Sequence, residues 1–106
     1  MQTELFIGGQ WRPASDGVTF PIIDPSTEQP LAEVSSATAD DVIDAVEIAD
    51  AAGKEWAQRA PRERAEILRR SWELLVGRKG DIAEYIVREN GKAMSDAIGE
   101  VSYAIE

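Results

Sequence analysis

The spacing of apolar residues changes once along the chain. Up to about residue 36 they come in runs of two or three broken by glycine or proline, and from Thr38 onward they recur every three or four residues. Short runs bounded by turn residues predict strands, and the longer period predicts helices. Leu5-Phe6-Ile7 and Gln10-Trp11-Arg12 flank Gly8-Gly9, a pair that supplies the positive φ of a tight hairpin turn. Thr19 to Asp24 is a second extended stretch, interrupted by Pro21, which cannot donate to a ladder and so marks an edge strand or an irregular segment. Asp24-Pro25-Ser26-Thr27-Glu28 reads as a turn, and Leu31 to Val34 alternates as a half-buried strand does. The serine-containing stretch Val34 to Ala37 is the nearest approach to a linker.

The first helix should begin at Thr38, because Asp41 stands three residues later in a capping-box arrangement and Asp40 and Asp41 suit the positive end of a helix dipole. Its expected inward stripe is Val42, Ala45, Val46, Ala49 and Trp56. A second helix starts near Pro61, with Ala65, Leu68, Trp72 and Leu75 facing in, Arg62, Glu63, Glu66, Arg69 and Arg70 facing out, and Gly77 and Gly80 bracketing its end. A third, Asp81 to Asn90, should bury Ile82, Tyr85 and Ile86 and close on Asn90-Gly91. The last pattern, Met94, Ala97, Ile98, Val101, Ala104 and Ile105, keeps helical spacing to Glu106 without a stop signal, which predicts a helix that continues in a longer protein. The fold class is therefore α+β: short antiparallel β elements over residues 1–36 and about four helices over 37–106, in one segment truncated at its carboxyl end.

Composition narrows the chemistry. With no Cys and no His among 106 residues, the chain has no thiolate nucleophile, no disulfide and neither the commonest metal ligand nor the usual neutral-pH base. Eleven basic against 20 acidic side chains give a net charge of −9, which disfavours nucleic acid as a partner. No run of apolar residues is long enough to cross a membrane, and the amino-terminal stretch from Met1 lacks the basic lead of a leader peptide, so a cytoplasmic location is expected. The carboxylate pairs Asp40-Asp41 and Glu63 with Glu66 fall on polar faces or helix starts, and the arginines from Arg59 to Arg70 alternate with Glu63 and Glu66 as intrahelical pairs do. Gly91-Lys92 lacks the other residues of a phosphate loop and reads as a helix cap. Trp11, Trp56 and Trp72 sit on separate elements, which suits core or interface anchors better than an aromatic platform. No catalytic residue emerges.

Four segments in order, Phe6-Ile7-Gly8-Gly9-Gln10-Trp11, Phe20-Pro21-Ile22-Ile23-Asp24-Pro25-Ser26-Thr27, Pro61 to Leu68 and Glu89-Asn90-Gly91-Lys92, resemble the amino-terminal region of the NAD(P)-dependent aldehyde dehydrogenases. The likeness spans nearly the whole chain, and Gly99 to Ala104 looks like the succinate-semialdehyde dehydrogenase branch. Ala93 departs from the pattern, since the family usually has proline after Gly-Lys. The resemblance implies an α/β fold for the intact protein, in which residues 1–106 lead into the cofactor-binding domain. It also implies that the catalytic cysteine, the general-base glutamate and the cofactor turn lie beyond Glu106, so that no catalytic or cofactor-binding residue transfers to this chain. The implied ligands are an aldehyde substrate and NAD or NADP, in a homo-oligomeric enzyme. One site carries over: a monovalent cation held by the backbone carbonyls of Ile22 and Ile23 and the carboxylate of Glu89, oxygen ligands of the kind a hard cation takes. A reading of another class is a small acidic α+β interaction module that binds a partner through the Met94 to Ile105 face, and a third is a homo-oligomeric structural protein burying the same face.

Overall fold

The computed structural model describes residues 2–106; Met1, the first residue of the stretch read for a leader, lies outside them. Four strands precede four helices, as the change of period predicts. The chain divides into two compact units, one holding the stretch up to Ile22 with Ala32–Arg59 and the other Ile23–Leu31 with Ala60–Glu106. The division does not run at the change from strand to helix.

In the first unit, β1 (Leu5–Ile7) and β2 (Gln10–Arg12) pair antiparallel in the register Leu5↔Arg12, Phe6↔Trp11 and Ile7↔Gln10. Gly8 and Gly9 take φ of 62° and 81°, the two successive left-handed residues that a two-residue hairpin turn demands. The cross-strand rings of Phe6 and Trp11 lie 4.8 Å apart at a tilt of 46°. Helix α1 (Ala39–Gln58) starts at the predicted box: Thr38 is extended, its hydroxyl accepts from the Asp41 N–H, and the Asp41 side chain accepts from the Thr38 N–H. Its apolar stripe is not covered, however. Val42 and Val46 are exposed, Ala49 likewise, and Ala45 and Trp56 are only half-buried.

Strands β3 (Thr19–Asp24) and β4 (Gln29–Ser35) form a separate two-stranded ribbon, so β3 is an edge strand, as Pro21 predicts. Val34 and Ser35 belong to β4, which shortens the expected linker to Ser36 and Ala37. The ribbon tip belongs to the second unit. There the Asp24 carbonyl accepts from Glu28 N–H at 2.8 Å, the Asp24 carboxylate accepts from Ser26 N–H at 2.8 Å, and Glu28 takes φ 57° to close the turn.

Helix α2 (Pro61–Gly77) carries proline at its first turn, and α3 (Lys79–Asn90) begins two residues earlier than its apolar pattern, so Gly80 lies inside α3 and not in the gap before it. Arg78 joins the two: its N–H donates to Leu74 and Leu75 carbonyls at 3.1 Å, and its carbonyl accepts from Ile82 at 3.0 Å. Helix α4 (Met94–Ile105) completes the unit. The core forms where α3 meets α4, with Ala83 and Ala97 fully buried, Val101 nearly so, and Ile82, Ile86, Val87 and Ile105 around them. Small side chains let the two helix backbones approach closely, and the branched residues fill the flanks.

This core departs from the expected one in two ways. Ala83 lies at its centre, whereas Tyr85 points outward and is exposed. The α2 stripe of Ala65, Leu68, Trp72 and Leu75 is exposed throughout, no residue of α2 is buried, and Trp72 keeps half its surface open. In α4, Ala97 and Val101 go inside while Met94, Ile98 and Ala104 remain exposed. An amphipathic pattern specifies a helix and its buried side, but not which stretch of polypeptide supplies the cover.

The α3 end is closed by Gly91 at φ 71° and ψ 17°, with its N–H on the Val87 carbonyl at 2.8 Å. A side chain built on Gly91 would place its Cβ 3.0 Å from Cγ of Pro25 in the ribbon tip. Gly91→Ala should therefore cost about 1–2 kcal/mol from the left-handed backbone, plus a steric part that Pro25→Ala removes; urea midpoints of the single and double variants separate the two contributions. Ala93 caps α4 at φ −61° and ψ 142°, values a proline ring adopts without strain, and Lys92 before it lies outside any helix. Ala93→Pro should raise the urea midpoint by the equivalent of about 0.4–1 kcal/mol through the unfolded chain.

Candidate functional site

The densest polar cluster surrounds the α1 start. Asp41 is 3% exposed, and its Oδ2 accepts from the Thr38 N–H at 3.0 Å, the Thr38 hydroxyl at 2.9 Å, the Ser15 N–H at 3.1 Å and the Ser15 hydroxyl at 3.2 Å. The Ser15 and Thr38 hydroxyls also lie 3.0 Å apart. On the other oxygen, Arg12 approaches Oδ1 at 3.6 Å while its guanidinium donates to Asp44 at 2.6 Å. One carboxylate thus ties the end of β2, the loop after it and the start of α1. Hydrogen bonds from the Thr38 and Ser15 backbone stabilise the charged form more than burial penalises it, so its pKa falls from 3.8 to about 2. A carboxylate held so firmly ionised is an acceptor and not a proton donor at neutral pH. Its role is to organise structure, and the carboxylate read from sequence as a solvated helix-start charge is the buried one.

Beside this cluster an open groove of about 350 Å³ runs between β1 and α1, lined by Leu5, Phe6, Ile7, Val42, Val46 and Ala49, with Asp41 at its polar end. A smaller cleft of about 160 Å³ lies in the second unit among Leu75, Ile82, Ile86, Val101 and Ile105. Both linings are mostly apolar, with Asp41 the one charged side chain of the groove and Glu100 that of the cleft. On α2 the charges pair within the helix as expected: Arg69 bridges Glu66 at 2.7 Å and reaches Glu73, and Arg70 reaches Glu66 at 3.3 Å. Lys92, after the Gly91 cap, pairs with Glu100 on α4, not with any loop glycine.

The residues expected to hold a cation fall on either side of the division between the units. Ile22 belongs to the first, and Ile23 and Glu89 to the second. Ile22 is half-buried, Ile23 is exposed on the same strand, and Glu89 is exposed in the last turn of α3. Within the second unit, the Pro25–Gly91 approach brings the ribbon tip beside the end of α3, two residues from Ile23 and from Glu89.

Comparison with known proteins gives this geometry its context. The model of the aldehyde dehydrogenase family matches residues 11–106. The chain belongs to that family. Among aldehyde dehydrogenases, a succinate-semialdehyde dehydrogenase of Paenarthrobacter nicotinovorans is 47% identical over 76 residues, 72% of this chain and 17% of that protein. The crystal structure of an Escherichia coli NADP-dependent enzyme superposes with a TM-score of 0.94 at 31% identity, covering 98% of this chain and 22% of the other. An NAD-dependent benzaldehyde dehydrogenase from Corynebacterium glutamicum superposes at 0.92 with 33% identity, covering 99% and 23%. This aldehyde dehydrogenase chain spans about a fifth of the length of the relatives it matches.

The sequence signals Thr38 and Asp41 as a cap, but not the convergence of Arg12, Ser15 and Asp44 on the same node; that depends on how the hairpin packs against α1. Since the folded pKa of Asp41 is depressed, its stabilisation is fully present above pH 3.8 and is lost as pH falls toward about 2. Urea midpoints measured across that window should fall more steeply for the wild-type chain than for Asp41→Asn. Thr38→Ala should cost about 1 kcal/mol at neutral pH.

Proposed function

We propose that this chain is the amino-terminal segment of an aldehyde dehydrogenase that oxidises succinate semialdehyde to the corresponding dicarboxylic acid with NAD or NADP. The observation that carries the substrate is the recurrence of succinate-semialdehyde dehydrogenases among the relatives, at 47% identity over 72% of this chain for the Paenarthrobacter protein and 34% over 98% for the human one. Oxidation of an aldehyde to an acid consumes water and delivers a hydride to the dinucleotide, which is the chemistry the cofactor supplies when bound. No residue here is assigned to hold it: the one Gly-Gly pair turns a hairpin, and α2 and α4 open on Ala60 and Ala93 without side-chain caps. With no Cys, the chain supplies no thiolate nucleophile for the acyl-transfer step.

The part we assign to residues 1–106 is to lead into the cofactor-binding domain and to lay the apolar faces of α1 and α2 against the rest of the polypeptide. The exposed Val42, Val46, Leu68 and Trp72 support this reading. We further propose that the intact enzyme is a cytoplasmic homo-oligomer and holds a monovalent cation through the Ile22 and Ile23 carbonyls and Glu89. Two consecutive carbonyls point to opposite edges of a regular strand, so both reach one ion only where the backbone turns between them. The meeting of the ribbon tip with the α3 end supports Ile23 and Glu89 as the nearer pair.

Purified full-length enzyme, assayed with a panel of aldehydes and both dinucleotides, should give its highest kcat/KM with succinate semialdehyde. A higher value with an uncharged aldehyde overturns the substrate assignment, and no reduction of either dinucleotide overturns the activity. Crystals soaked in rubidium should show anomalous density beside Glu89; its absence overturns the cation site.

A further inference from the structure

Asn90 is the only asparagine in the sequence, and it precedes Gly91. It is exposed, and it ends α3 against a residue with no side chain to hinder approach to its backbone nitrogen. That pairing is chemically reactive in a definite way. The Gly91 nitrogen can attack the Asn90 side-chain carbonyl carbon, forming a C–N bond and a five-membered imide while the amide nitrogen departs as ammonia with the proton lost from the Gly91 nitrogen. Water then opens the ring at one of two carbonyls, giving aspartate or isoaspartate at position 90. No oxidant, reductant or cofactor enters.

The folded structure opposes this reaction at two points. The Gly91 N–H is committed to the Val87 carbonyl at 2.8 Å, and Asn90 is still helical, a conformation that turns the following nitrogen away from its own side-chain carbonyl. Both restraints belong to the last turn of α3, and terminal turns are where helices open most readily. We propose that Asn90-Gly91 is a self-modifying site of this protein, in which deamidation is gated by opening of the α3 cap.

The product would feed back on the gate. Aspartate at position 90 puts a negative charge at the negative end of α3, next to Glu89. Isoaspartate adds a backbone carbon beside Gly91, where the Pro25 ring already stands at 3.0 Å from a notional Cβ. Each change loosens the cap and the seating of the ribbon tip on it.

The test uses full-length enzyme incubated at mildly alkaline pH, folded or in concentrated urea, followed by peptide mapping with mass spectrometry for the amide-to-acid mass gain at position 90. Folded enzyme should convert about tenfold more slowly than unfolded enzyme, as expected for a reaction that waits on a terminal opening. Asn90→Gln, which would have to form a larger ring, should remain unmodified at that position in both conditions. Equal rates in folded and unfolded enzyme overturn the gating. No conversion in folded enzyme after the unfolded sample has reacted completely, or none in urea, overturns the site itself.

Discussion

The first unit is organised around the Asp41 carboxylate, the one charged side chain buried among the described residues. Four donors from Thr38 and Ser15 converge on one of its oxygens, and Arg12 stands near the other while binding Asp44. A buried charge survives only when its lost hydration is replaced, and here the N–H groups and hydroxyls of Thr38 and Ser15 do so. The consequence reaches past the cap. The hairpin of β1 and β2, whose own strands are three residues long, gains a fixed direction relative to α1, and the groove between them takes its shape from that direction.

The second unit is organised on a different principle. Its centre is made by absence of bulk: Ala83 and Ala97 admit the backbones of α3 and α4 to close range, and Val101 with Ile82, Ile86 and Ile105 packs the margins. The Arg78 junction, the Gly91 cap and the extended Ala93 then set how α2, α3 and α4 follow one another. Specific short-range geometry fixes the path, and modest burial holds it.

Much of this local geometry was readable from residue types. Gly8-Gly9, Thr38 with Asp41, Pro61 and Asn90-Gly91 each have one dominant structural solution, and each adopts it. What periodicity conceals is the destination of a face. Leu68, Trp72 and Leu75 have the spacing of core residues and are exposed, because spacing records that a surface is meant to be covered without naming the cover. Tyr85 and Ala83 illustrate the same limit at finer scale: helical spacing from Ile82 marks the ring as the inward residue, whereas close helix crossing selects the methyl group. The cation ligands are harder still to read, since carbonyls belong to every residue and only backbone course distinguishes those that can converge.

The uncovered faces of α1 and α2 give the acidic charge surplus a physical meaning. A chain with Val42, Val46, Leu68 and Trp72 open to solvent invites collision with its own copies. Its net charge of −9 makes every such copy a repelling neighbour, even though α2 itself carries Arg62, Arg64, Arg69 and Arg70 against Glu63, Glu66 and Glu73. Mutual repulsion acts at a distance greater than apolar contact does, so it opposes the approach of these faces on separate copies.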